Sequence, residues 1–213
     1  MLRSRIRIIA GLLATAASVS MLAGCGSSTH QASSSRPDLY AAPSHLRWTV
    51  FQGVPVPEGD QGPKHFDGPV ASGYDLSPTG AALAAIESSI RVAVADDTQR
   101  ADVGQKLLAP GPGRDRWATA RWQITITEPV DPAIAPRVLG YTITSYTATK
   151  ASVDIYARQA DRSITRTSTT VTWRDDNWLL ELPATPDKPL VAAVSTTPGD
   201  MVALPQASAG AGR

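Results

Sequence analysis

Through most of the second half of the chain, apolar and polar residues alternate with period two. Residues 138–146 (VLGYTITSY) set Leu139, Tyr141 and Ile143 against Gly140, Thr142 and Thr144. Residues 151–157 set Ala151, Val153 and Ile155 against Ser152, Asp154 and Tyr156. Residues 166–173 set Thr169, Val171 and Trp173 against Ser168, Thr170 and Thr172, and residues 177–182 set Trp178, Leu180 and Leu182 against Leu179 and Glu181. Alternation this persistent, rich in β-branched and aromatic side chains, predicts an antiparallel sheet with one buried face. The polar segments TATK, RQADRS and RDDN between these runs are short enough for hairpin turns, so the strands form a meander. Across RDDN, Trp173 and Trp178 fall close enough to pair. Residues 121–127 (RWQITIT) alternate in the same way and predict one further strand.

Upstream the period changes. Leu83, Ile86, Ile90 and Val94 recur at spacings of three and four, which predicts a helix with one apolar face. Ser77 can cap it, with Pro78 in the first helical position. Asp96 and Asp97 oppose the helix dipole at its end and mark a break. Ala81, Ala84 and Ala85 are small enough to leave room beside a neighbouring sheet. RADVGQKLL predicts a second helical piece before the turn-rich PGPGRDR. Leu46, Trp48 and Val50 predict a short strand, which Gly53, Pro55 and Pro57 confine to an edge or end. The Pro- and Gly-rich segment that follows, to residue 78, reads as surface loop. Helix first and meander after it make an α+β domain.

The N-terminus belongs to a different class of sequence. Arg3, Arg5 and Arg7 precede an apolar run that closes on Leu22-Ala23-Gly24-Cys25. A basic start, a short apolar stretch and small residues before a cysteine form an export signal with a lipoprotein box. Residues 1–24 are thus expected to be cleaved and Cys25 to be the lipid attachment site, anchoring the chain on the extracytoplasmic face of the cell membrane. Cys25 is the single cysteine, so the fold is expected to form without disulfides. Residues 25–44, rich in Ser, Gly, Ala, Gln and Pro, read as a flexible tether. Residues 45–195 form the domain, and 196–213 read as a disordered tail.

The formal charge of the whole chain is +1, and loss of three arginines with the leader leaves 17 basic residues against 19 acidic ones. Phosphate binding needs clustered Lys and Arg, and no basic run follows the leader, so nucleic acid is not an expected partner. His30 and His45 lack neighbours at ligand spacing, and neither metal nor cofactor is expected. His65 and Asp67 are the only His–Asp neighbours; they read as a base and its orienter or, more simply, as loop residues flanking Phe66. On the face of the sheet predicted to be inward, Tyr141 is the sole titratable residue, and Glu87 falls beside the helix stripe. Catalysis by a buried acid or base needs more than this, so the chain is not expected to be an enzyme. The opposite face carries Ser152, Asp154, Arg166, Ser168 and Thr170, hydroxyl-rich with few charges, and is a candidate interface for a partner or a second copy.

GYDLSPTGAALAA, VLGYTITSYTATKASVDIYAR and TTVTWRDDNWLLELP together resemble the NTF2-like lipoproteins and membrane proteins of actinobacterial conjugative elements. More distantly they resemble the extracytoplasmic NTF2-like assembly subunit of type IV secretion systems. The likeness covers roughly residues 45 to 195. It implies an NTF2-like cone, with the N-terminal helix packed on a curved antiparallel meander sheet. It also implies a membrane-tethered, non-catalytic scaffold or assembly component of a conjugative transfer or secretion apparatus, whose partners are other envelope or transfer-apparatus proteins, or further copies of itself. The channel subunits are held by a transmembrane helix, whereas the anchor expected here is a lipid on Cys25, with nothing reaching the cytoplasm. The alternative is a lipoprotein that holds a small apolar ligand in the cone.

Overall fold

Ser77 and Pro78 start the central element as the sequence predicts. In the computed structural model, which describes residues 36–186 and 188–206, the Ser77 side chain accepts the Gly80 amide proton and helix α1 runs Pro78–Val94. A capped N-terminus with proline in the first turn satisfies one orphan amide and removes another. The segment read as a cleavable leader, Cys25 and the first part of the segment read as a tether lie outside the described residues. The ordered chain reaches further upstream than the tether reading allows, because Pro43 is buried and Leu39 packs on the core.

The chain enters through a hairpin, β1 (Arg47–Phe51) and β2 (Val54–Glu58), turned at Gln52 and Gly53, both with positive φ. A side chain on Gly53 would collide with the Val130 carbonyl, so only glycine fits that turn. Pro55 and Pro57 do not end β2. They lie at alternate positions of a two-stranded sheet, so both can turn their missing amides away from β1. The following segment is more than surface loop: β3 (His65–Asp67) pairs with β4 (Val70–Ser72), and Val70, Ala71 and Tyr74 are core residues. Beyond α1 lie α2 (Arg100–Lys106) and α3 (Pro112–Arg121).

The meander forms as predicted: β5 (Arg137–Tyr146), β6 (Lys150–Arg158), β7 (Ile164–Arg174) and β8 (Asn177–Glu181), each antiparallel to the next. Two strands extend it. β9 (Val191–Val194) pairs with the first half of β7, and β10 (Val202–Ala203) pairs with β5. Residues 196–206 are therefore no loose tail, and Val202 and Leu204 are buried, while 207–213 lie outside the described residues. The result is an α+β domain with a mainly antiparallel sheet. Helix α1 packs against β5, β6, β7 and β8 on one side and against β2 and β4 on others. From Thr79 to Ser88 it is buried on every face, which a helix shows when neighbours surround it.

Two register breaks in β5, at Val138/Gly140 and Ile143/Ser145, bend the strand and shift its phase. Val138, and not Leu139, therefore lies in the core with Tyr141 and Ile143. The predicted strand at 121–127 is absent. Arg121 closes α3, and Trp122 (73% exposed) and Ile124 (54%) face solvent on a loop. Its alternation is real in sequence but meets no adjacent strand, and the Ile126 backbone bonds to Asp97 instead.

Candidate functional site

Strand β7 changes partner partway along its edge. Thr170 to Arg174 pair with β8, Ile164 to Thr167 pair with β9, and between them the Ser168 amide bonds to the Leu190 carbonyl. The chain between β8 and β9 loops away through Leu182 and Pro183. A cavity of about 650 Å³ runs through this break and is lined from both faces of the sheet. On the helix side its wall is Ser89, Val92 and Ala93 of α1 and Trp117 of α3; on the sheet side it is Thr167, Thr169, Leu180, Leu182 and Val191. A second cavity of about 320 Å³ shares Ser89, Ala93, Thr167 and Val191 and continues along α1 to Ile90, Val94, Val138 and Ile155. Together they make one largely apolar groove between the C-terminal half of α1 and the sheet.

Half of the groove's hydroxyls, those of Thr144, Thr165, Ser168 and Thr169, are committed to hydrogen bonds. Thr169 Oγ1 donates to the Val153 carbonyl, and Thr165 Oγ1 accepts from Gln159 Nε2. Ser89 Oγ, in the wall common to both cavities, is buried without a hydrogen-bond partner among the described residues. The two acids at the groove lie at its outer mouth. Asp154 accepts from Ser168 Oγ at 2.6 Å, and Glu181 pairs with Lys150 at 2.9 Å.

Of the residues predicted as an interface, Ser152, Asp154, Ser168 and Thr170 are brought together at this mouth. Arg166 sits beside them, its Nε 3.9 Å from Asp154, but lines neither cavity. The alanines expected to leave room do the opposite. Ala81, Ala84 and Ala85 are wholly buried and let α1 approach its neighbours, and the space opens two turns later, at Ser89 and Ala93. His65 and Asp67 do not act on one another: both are exposed on β3, and Asp67 bonds to Lys106 at 2.7 Å, which lowers its pKa.

The reading of Glu87 as a residue beside the core needs correction, since it is fully buried. Its Oε2 accepts from Arg91 Nε at 2.7 Å, while Arg91 Nη1 bonds the Pro69 carbonyl and its guanidinium lies 4.4 Å from the Phe51 ring centre. Glu58 is nearby in the same buried group, held by Arg47 and Thr49. Burial, with Glu58 adding to it against the pull of Arg91, raises the Glu87 carboxyl to about 7, and burial likewise raises the Tyr74 phenol. Glu87 does not line the groove, so its consequence is for stability. Its folded pKa lies above its unfolded value, so its stabilising contribution is present at low pH and lost as pH rises through about 7. Wild-type protein should lose on the order of 3 kcal/mol between about pH 5 and about pH 8 from this group, and Glu87→Gln should flatten that part of the profile. Urea unfolding of both proteins across that range measures it.

A family model, that of a domain of unknown function designated DUF8175, matches residues 14–202. The chain belongs to the DUF8175 family. No curated protein and no solved structure matches it. The match ends within β10, so it includes every strand and helix that walls the groove of this DUF8175 protein. Among the described residues, no group of three His, Cys, Asp or Glu is set to hold a metal, and no helix is long and apolar enough to cross a membrane.

Proposed function

We propose that this protein is a membrane-tethered, non-catalytic binding component of the cell envelope, held by a lipid on Cys25, with the groove between α1 and β7 as its working surface. The observation that carries this reading is the groove itself: apolar along its length, opening at a break in the sheet edge, with its acids at the outer mouth and already paired. Concave, mostly apolar sites with a few polar groups are where small molecules and protein segments are held. A helix seated on a bent antiparallel meander is also what an NTF2-like cone requires, and the sequence likeness to conjugative-element proteins supports the reading of the chain as a scaffold or assembly component of a transfer or secretion apparatus. A small apolar ligand in the same groove is the second reading, favoured by the buried, unpartnered Ser89 Oγ, which a ligand's single polar group would satisfy.

Co-purification after crosslinking in membranes tests the proposal. The wild-type protein should bring down envelope proteins of the transfer apparatus, and Ala93→Trp, which fills the groove, should reduce that recovery about tenfold or more, as loss of a central contact does. Recovery unchanged in Ala93→Trp would reject the groove as the working surface. Loss of a bound small molecule from the same variant, with no protein recovered from wild type, would select the second reading.

A further inference from the structure

The groove is bordered by an open strand edge. In the pairing of β7 with β9, Leu190 and Ala192 turn their backbone groups toward β7, opposite Ser168 and Arg166. In an antiparallel ladder the alternate residues, Val191 and Ala193, then turn theirs outward. Among the described residues those outward groups have no backbone partner. Farther along the same edge of β7, β8 is covered by bonds between Leu180 and residues Leu107 and Ala109, and among the described residues β9 has no such cover. Proteins protect open edges with charge, proline or a bulge, and Val191-Ala192-Ala193-Val194 has none of these. Its side chains are small, Ala193 is exposed, and the Val191 side chain lines both cavities.

We infer that the groove's occupant is an extended segment of a partner protein, added as a new strand on β9, with apolar side chains at alternate positions turned into the groove. This rests on the reading of the groove as the working surface. The open edge selects an extended backbone, because only that conformation presents donors and acceptors at the spacing of Val191 and Ala193. The groove selects uncharged side chains of period two, because Val191 shares the cavity wall with Ala93 and Ile90 of α1 and alternate positions of an added strand fall on that same face. Ala93 is small and lines both cavities, so the groove beside it admits large side chains from the incoming strand. A charged segment would be desolvated there without a partner.

The test uses the full-length lipidated protein in detergent and a phage-displayed library of random heptapeptides. Enriched peptides should alternate apolar and polar residues, and Ala193→Pro should weaken their binding about tenfold or more. That proline removes an outward amide and leaves the ladder to β7 intact. Should Ala193→Pro fail to fold, methylation of alternate peptide amides gives the same information: one set of positions abolishes binding and the other leaves it unchanged. Enrichment that neither change affects would overturn strand addition. A fluorescent dodecanoic acid separates the two readings. If it binds wild type but not Ala93→Trp while no peptide is enriched, strand addition fails and the groove survives as a ligand site. If neither dye nor peptide binds, both fail. A concentration-dependent dimer lost in Ala193→Pro would make a second copy the occupant and overturn the assignment to a partner protein.

Discussion

Trp178→Ala will lower the unfolding free energy by about 4 kcal/mol, the middle of the range for a buried aromatic truncated to alanine. Trp178 is wholly buried on β8 and faces α1. Its Nε1 donates to the Asp75 carbonyl at 3.0 Å, two residues before the cap of α1, so one side chain pins the start of the helix to the last strand of the meander. Trp173 meets it edge-on at 5.3 Å and Tyr146 lies at 6.0 Å. The truncation removes the largest side chain of the core, leaves a cavity that these rings cannot collapse into, and breaks the bond to Asp75. Chemical denaturation followed by circular dichroism measures it, and a loss below about 1.5 kcal/mol would mean that the core does not depend on this contact.

The second large effect belongs to a charged residue. Arg121→Met should cost about 3 kcal/mol, the range for removing one partner from a buried ion pair. Arg121 is 5% exposed. Its Nη2 donates to the Ala95 carbonyl and its Nη1 to the Ile124 carbonyl, both at 2.7 Å, and Asp97 pairs with it at 3.1 Å. Asp97 in turn holds Arg100 and the Ile126 amide. One guanidinium thus joins the end of α1, the end of α3 and the loop at 122–127. Methionine keeps the volume and loses every bond, leaving the Ala95 and Ile124 carbonyls without this donor and Asp97 with only Arg100 and the Ile126 amide. Hydrogen exchange should report the loss locally, with faster exchange at the amides of Asp97 and Ile126, which now bond across this junction. Unchanged exchange there would contradict the role assigned to Arg121.

These two residues also show what sequence reveals and what it hides. The meander was legible because β-strand alternation is local, and the Trp173–Trp178 pair followed from a two-residue turn that fixes register. Arg121 was misread because its neighbours Trp122, Ile124 and Ile126 alternate like a strand, while the bonds that make Arg121 a helix end reach back to Ala95. Helix α3 was hidden by Pro110-Gly111-Pro112-Gly113, which reads as turns. Pro112 opens the helix, and Gly113 is needed because a side chain there would strike the Leu182 carbonyl, a contact between distant segments.

The groove was hidden for a related reason. It depends on β7 changing partner from β8 to β9, and β9 is a four-residue strand of valine and alanine with no alternation to mark it. Ser152, Asp154, Ser168 and Thr170 were singled out as a flat polar face and instead rim the groove's outer mouth. Glu87 was placed beside the core because helical periodicity assumes one buried face. Helix α1 is enclosed by β2 and β4 as well as by the sheet, and no stripe reveals that.

On the function proposed above, the groove beside Ala93 is where this protein meets its partner. The most direct measurement places a photo-crosslinking amino acid at position 93 of the full-length protein in its native membrane, with the same residue at position 170 as the comparison. An adduct is expected at position 93, on an extended peptide segment, and it should compete with binding of the selected peptides. An adduct at position 170 alone, with position 93 reacting only with water, would contradict it.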